Sequence, residues 1–533
     1  MTLRYVLFLV CWGWLARPGA AQPLTPTPAN APVQTDRTEL PLDADDSEVH
    51  LQALAADSSV VLLVGREHPL SGKTDFSFQC YDSALRLRHD APLAIPDEFS
   101  FARICAEGTT VYVLFTSRHT PGRLLAAAYN GRLAQTRTQQ FDTKLSRDIV
   151  ELKALDGRLF ATVLLNDQLH VTALLLDVAT GQMQYLPSVY EPLPTQLTFV
   201  ADAATRRAEY VLSQTNGRKS RLLLKQLTEK GQLVSSEYVQ AESERSLITA
   251  QLTPPQDTTA RLLMGTYSLR GPEYAQGLFA TDLRPGGVAG TSARTPLRFY
   301  DFLHLKHFFD YLKPQRQARL RQRVARRLAR SLSPMRWHYR LLLHELLPQP
   351  DGGYVLVAEV YYPHYHNSGN GMPGLYNGYG NQFYSPYSSY GGYGNARIFD
   401  GYQTTHALVC GFDRTGNLLW DNNFVVENLR RTDLEETVRL QALGDGRFVL
   451  AYVDENKLRY KVVNRAESSP NNQHVLIQTA PGPTPPPTER STDTRRAELL
   501  PWYGKRFLAS GYQHVRVEHG HDRNVFFLNS VSF

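Results

Sequence analysis

Leu152-Lys153-Ala154-Leu155, Asp156-Gly157-Arg158, Leu159 to Leu165, Asn166-Asp167-Gln168 and Leu169 to Leu176 make up a stretch that returns far along the chain. Its counterpart is Leu440-Gln441-Ala442-Leu443, Asp445-Gly446-Arg447, Phe448 to Val453, Asp454-Glu455-Asn456 and Leu458 to Val463. Asp-Gly suits a tight hairpin, because glycine accepts positive φ without steric cost. The second polar cluster is another turn, so each unit reads strand, turn, strand, turn, strand. A further turn, Asp177-Val178-Ala179-Thr180-Gly181-Gln182 in one place and Asp413-Arg414-Thr415-Gly416-Asn417 in another, leads into a fourth strand. Four antiparallel strands repeating at this spacing are the unit of a β-propeller.

Working outward, units begin near Glu48, Phe99, Asp148, Thr195, Ser246, Tyr339, Val438 and Arg496. The expected fold is all-β: a propeller of eight four-stranded blades over 45–533, with one inserted basic amphipathic helical segment. Seven blades result if the first and last partial units complete one blade, a closure that also hides the edge strands. A β-sandwich or two smaller β domains are the competing arrangements. Frequent Tyr (28) and Phe (23) beside rare Met (5) favour strands.

The N-terminus reads as an export signal over 1–21. Arg4 supplies a positive start, Tyr5 to Ala16 an apolar core, and Gly19-Ala20-Ala21 small residues before a cleavage site at Gln22. The apolar run is shorter than the roughly 20 residues a bilayer span needs. The expected location is periplasmic, cell-surface or extracellular. A proline-rich linker follows over 22–44, and a second proline-rich surface excursion is expected over 466–494, around Pro481 to Pro487. Cys80, Cys105 and Cys410 remain after cleavage. Either one Cys80–Cys105 bridge or three separate buried thiols fits that number.

The helical insertion is expected over 301–334. Phe302 to Leu312 is aromatic and apolar; Lys313, Arg316, Arg319, Arg321, Arg323, Arg326, Arg327 and Arg330 follow, with no acidic residue between Asp310 and Glu345. Removing these eight cations from the formal +6 leaves −2, so the positive balance is local. Leu320, Val324, Leu328 and Leu332 recur every four residues as an apolar stripe. Such a helix suits an anionic polymer, a membrane surface or an envelope protein; otherwise its arginines form a solvated face. Nucleic acid ranks last among the anionic partners for an exported chain.

Residues 361–402 read as a Gly/Tyr-rich loop within one blade. Tyr362, Tyr365, Tyr376, Tyr379, Tyr384 and Tyr387 are its candidate ligand contacts, since tyrosine offers a face for stacking and a hydroxyl for hydrogen bonding. His364 and His366 alternate as a metal pair would, but without a nearby carboxylate in the sequence. No catalytic or cofactor motif survives inspection. His344-Glu345 opens like a zincin motif, but Pro348 stands where the second histidine belongs. Gly369 to Gly374 satisfies G-x-G-x-x-G with a proline where the helix should begin. Gly416-Asn417-Leu418-Leu419-Trp420 matches the quinoprotein strand-end motif once only, so no cofactor is expected.

Tyr339 to His344, Ala358-Glu359, Tyr362-Pro363, Thr405-His406-Ala407, Gly411-Phe412-Asp413 and Leu419 to Asn422 together resemble a family of uncharacterised exported bacterial proteins. So do Phe308 to Pro314 and Val525 to Asn529. The resemblance implies export and an insertion-bearing propeller, and brings no activity. The expectation is a monomeric, non-catalytic binding or scaffold propeller for a polymer or protein. The alternatives are a glycan hydrolase or lyase with acids converging on the axis, and an assembly protein touching membrane through the basic helix.

Overall fold

A computed structural model describes residues 31–54, 56–68, 72–144, 148–165, 171–186, 195–202, 206–215, 219–241, 243–253, 261–269, 271–283, 296–332, 335–367, 397–471, 473–480, 489–518 and 520–533. The expected signal over 1–21 lies outside them.

The chain is an eight-bladed β-propeller of four-stranded antiparallel blades with a single α-helix among the described residues. Seven blades occupy 47–93, 99–142, 148–185, 195–239, 246–301, 340–431 and 439–476 in turn. The eighth combines the three strands of 489–532 with Val33–Leu40, which pairs antiparallel with Arg523–Ser532. First strands of successive blades touch one another, so they line the axis.

Middle strands read as apolar runs because each is covered by a neighbouring blade on both faces. In blade one, Val60, Leu62 and Val64 pack toward blade eight, while Val61 and Leu63 pack toward blade two. The period of two thus assigns alternate residues to alternate neighbours, and a slip of one residue would exchange the two faces. Eight buried apolar clusters result, one at each interface between blades, and they close the circle.

The Asp156-Gly157 turn joins Leu155 to Arg158 with both φ angles positive, 53° and 74°. The Glu107 carboxylate of blade two accepts hydrogen bonds from both turn amides, at 2.6 and 2.9 Å. In blade seven the corresponding turn is longer, with Gly444 and Gly446 both at positive φ. Cys80, Cys105 and Cys410 are separate buried thiols.

Three expected boundaries are corrected. The linker over 22–44 stops before Val33, because Val33–Leu40 supplies the outer strand of blade eight. There the buried Arg37 guanidinium donates to Gln478 O (2.6 Å), Asn529 Oδ1 (2.9 Å) and Gln513 Oε1 (2.9 Å), and pairs with Glu39. The excursion over 466–494 contains the strand Gln473–Leu476, and Glu489–Pro501 begins inside it. The 361–402 loop begins and ends as strand, since Tyr354–Asn367 and Arg397–Phe412 run on as a paired ribbon.

Candidate functional site

The inserted segment has two differently built parts. The first, 302–312, is a wedge with one 3-10 turn at Phe302–His304, so the expected helix is absent there. Phe302, Phe308 and Phe309 are buried between blades five and six. Phe302 stacks on Phe308 with ring centroids 4.1 Å apart, and Tyr311 stacks on His406 at 4.0 Å. The Asp421 carboxylate accepts from the backbone amides of Lys306 (3.0 Å) and His307 (2.7 Å). His307 also bonds to Asp310 (2.7 Å) and to Ala466 O (2.9 Å), which ties the wedge to blade seven. Beneath it the buried Lys461 ammonium donates to Asn422 Oδ1 and Asn423 O, and burial lowers its pKa to about 8.

His406 is fully buried and neutral, because desolvation pushes its pKa down to about 3. This predicts acid sensitivity. The folded pKa lies below the ordinary value of about 6.5, so the unfolded chain takes up the proton first. Stability from this site is complete above about pH 6.5 and is lost as pH falls toward 3, at about 1.4 kcal/mol per unit. His406→Phe keeps the ring stack and should flatten the urea-midpoint profile between pH 6.5 and 4.5.

The second part is α1 (Pro314–Ala329). Pro314 starts it, where a missing amide costs no hydrogen bond. Leu332 N donates to Arg327 O (3.0 Å) across Ser331 at φ 49°, which ends it. Val324 is buried against the wedge and blades five and six, and Leu320 packs on the same cluster. Gln317 Nε2 donates to Asp310 (2.8 Å) and Arg321 to Lys306 O (3.1 Å), which fasten the helix to the wedge. Leu332, by contrast, is exposed.

Lys313, Arg316, Arg319, Arg321, Arg323, Arg326 and Arg330 are exposed, and Arg327 is half-buried. Among the described residues, Arg316, Arg319, Arg323, Arg326 and Arg330 make no ion pair. At about 100° per residue these five fall within an arc of roughly 80°, turned about 120° from Val324. They form a ridge of unneutralised guanidinium groups about 21 Å long at 1.5 Å per residue. Packing of the stripe of leucine and valine therefore decides where the arginines point.

Beyond the ring, blade six projects a three-stranded arm. Its strands Tyr354–Asn367, Arg397–Phe412 and Leu418–Arg431 run 14, 16 and 14 residues. Tyr362 and Tyr365 lie on the first of these strands and are exposed, as are Ile398 and Phe399. Tyr365 and Tyr402 each meet Phe399 edge-on. Tyr376, Tyr379, Tyr384 and Tyr387 lie outside the described residues. A carboxylate does reach the histidine pair: Asp400 Oδ2 is 3.3 Å from His364 Nδ1 and 3.9 Å from His366 Nδ1. Arg430 shares that carboxylate at 3.6 Å. No group of three such side chains is placed to hold a metal ion among the described residues. Antiparallel pairing brings Asp400 there, a proximity that spacing along the sequence conceals.

The axis gathers ionisable groups from several blades. Lys153 on the first strand of blade three meets Glu345, just after the first strand of blade six, at 2.5 Å. Burial raises Glu151 to about 7, with Lys153 opposing and the Glu345 and Glu436 charges adding to the shift. His344 pairs with the buried Glu359 at 2.9 Å. Burial alone would lower its pKa, but Glu436 and Glu359 outweigh it and raise it. Glu359 also accepts from the amides of Thr437 and Val438, linking blades six and seven. The sequence supplies these acids, but their convergence depends on ring closure.

These features define a ring-shaped propeller carrying a fastened, arginine-ridged helix. No family model and no curated protein matches the sequence. Among solved structures, the chain is similar to polysaccharide lyase Uly1 at 8% identity and TM-score 0.38, over 80% of this chain and 89% of that one. A prolyl endopeptidase matches at 9% identity and TM-score 0.38, over 87% of this chain and 53% of its own. The β-propeller domain of the trilobed protease from Pyrococcus furiosus matches at 7% identity and TM-score 0.33, over 81% and 96%. Similarity this low carries nothing about activity.

Proposed function

We propose that the protein is an exported, non-catalytic binding propeller that holds an anionic partner on the ridge of α1. One observation carries this reading: five exposed arginines share one face of a fastened helix and make no ion pair among the described residues. No ion pair holds them there among the described residues, and crowding like charges on one face costs free energy that a bound anion would return. Arginine suits the task, because its planar fork binds carboxylate, sulfate or phosphate through two hydrogen bonds. Insertion into a membrane is disfavoured, because α1 spends its Leu320 and Val324 side on the ring.

The test replaces Lys313 to Ser331 with a short Gly/Ser bridge. The intact protein should bind a polygalacturonate-coated surface in low salt and release it as salt screens the charges, over a Debye length of about 10 Å at 0.1 M. The bridged variant should remain folded and bind at least tenfold more weakly. Equal binding by both proteins would refute the reading.

A second reading has its own observation, the axial grouping of Glu151, Lys153 and Glu345. A carboxyl near pKa 7 beside an ammonium is equipped for proton transfer, which would suit a glycan hydrolase or lyase. That reading requires product release from a glycan, abolished by Glu151→Gln.

A further inference from the structure

Around α1 the side chains divide into three faces about 120° apart at 100° per residue. One holds Leu320 and Val324 and is docked on the ring. The next holds Ala318, Ala325 and Ala329, with the exposed Arg321, Gln322 and Gln315 on the same side. The third is the ridge of Arg316, Arg319, Arg323, Arg326 and Arg330. Its arginines are three, four, three and four residues apart, so their successive Cα positions advance about 5 Å along the axis.

Resting on the reading that α1 is an anion-binding surface, we propose that its ligand is one extended strand of a linear acidic polysaccharide, with a carboxylate on each sugar, lying along the ridge. A narrow zigzag band of cations, within an arc of roughly 80°, matches a linear chain of anions better than it matches a plane. The step of about 5 Å per arginine matches the advance of one sugar in an extended glycan. Each uronate carboxylate offers two oxygens to a guanidinium fork, in the geometry that makes charge-assisted pairs directional.

Other polyanions fit less well. Single-stranded nucleic acid is held by aromatic stacking together with charge, and no aromatic residue occurs between Pro314 and Ala329. An anionic bilayer is bound most firmly when an apolar helix face enters it, and that face is already occupied.

Oligogalacturonates from two to ten sugars, titrated against the whole protein, test the register. Affinity should rise with each sugar to about five, the number a ridge of roughly 21 Å can seat, and then level off. Changing all five arginines to lysine keeps the charge but removes the fork, and should weaken the five-sugar ligand about tenfold with an unchanged unfolding midpoint. Thymidine oligonucleotides of equal charge should bind at least tenfold more weakly than the five-sugar ligand, and so should phosphatidylglycerol vesicles. A length dependence without a plateau, or equal affinity for the nucleotides or vesicles, would overturn the polysaccharide assignment and leave general anion binding standing. An intact protein that binds none of these probes would overturn the assignment together with the reading beneath it.

Discussion

A chain that begins at Pro41 should fail to form a stable ring, whereas one that begins at Gln22 should fold. The shorter chain lacks Val33–Leu40, the outer strand of blade eight, and Arg523–Ser532 becomes a bare edge with unpaired backbone groups. It also loses Arg37, which satisfies Gln478 O, Asn529 Oδ1 and Gln513 Oε1, and Gln34, which donates to Leu476 O at 2.7 Å. The N-terminal strand thus fastens blade eight to blade seven as well as completing its own sheet. The expected result is aggregation or loss of cooperative unfolding. A milder version keeps the strand and changes Arg37→Met. That strands several buried acceptors, each worth about 1–3 kcal/mol, so the urea midpoint should fall by the equivalent of about 3–5 kcal/mol. A chain from Pro41 that unfolds cooperatively at the unchanged midpoint would show that closure does not depend on this strand.

Phe308→Ala should destabilise the protein more than removing all of α1. The ring of Phe308 is fully buried, stacked on Phe302 and edge-on to Tyr339 at 5.1 Å and His406 at 5.4 Å. Truncation leaves a cavity between blades five and six, at about 3–5 kcal/mol for a buried phenylalanine. Removing α1 takes away a buried Val324 and a partly buried Leu320, together about 2–3 kcal/mol of apolar burial, while the wedge keeps its own contacts. Equilibrium denaturation of the two variants should rank them in that order. If removing α1 cost more, the helix would belong to the core and could not be a detachable binding element.

The blades were legible because hairpins are local. The expected starts at Phe99, Asp148, Thr195 and Ser246 are the first residues of first strands, since each sits between turn signals and an apolar run. Val33–Leu40 was hidden for the opposite reason. Its partner strand begins at Arg523, and the prolines before it suggest a linker. The arm was concealed by composition: glycine and tyrosine dominate 361–402, yet Tyr361 and Tyr402 belong to paired strands that carry the sheet outward. In α1, a four-residue period identified Leu320 and Val324 as the docked side, and the arginine ridge follows from helical geometry alone. What sequence could not supply was the fastening, because Asp310, Lys306 and Asp421 act through backbone and side-chain bonds set by the fold. The axial meeting of Lys153 and Glu345 depends on ring closure and has no local signature.

Binding on the helix and chemistry on the axis are separated most directly by arginine-selective footprinting. The intact protein would be treated with phenylglyoxal, with and without polygalacturonate, and modification would be read by mass spectrometry. Polymer should shield Arg316, Arg319, Arg323, Arg326 and Arg330, while Arg103 and Arg439 on the first strands of their blades react as before. Shielding of Arg439 with an unprotected ridge would place the ligand on the axis and overturn binding on α1.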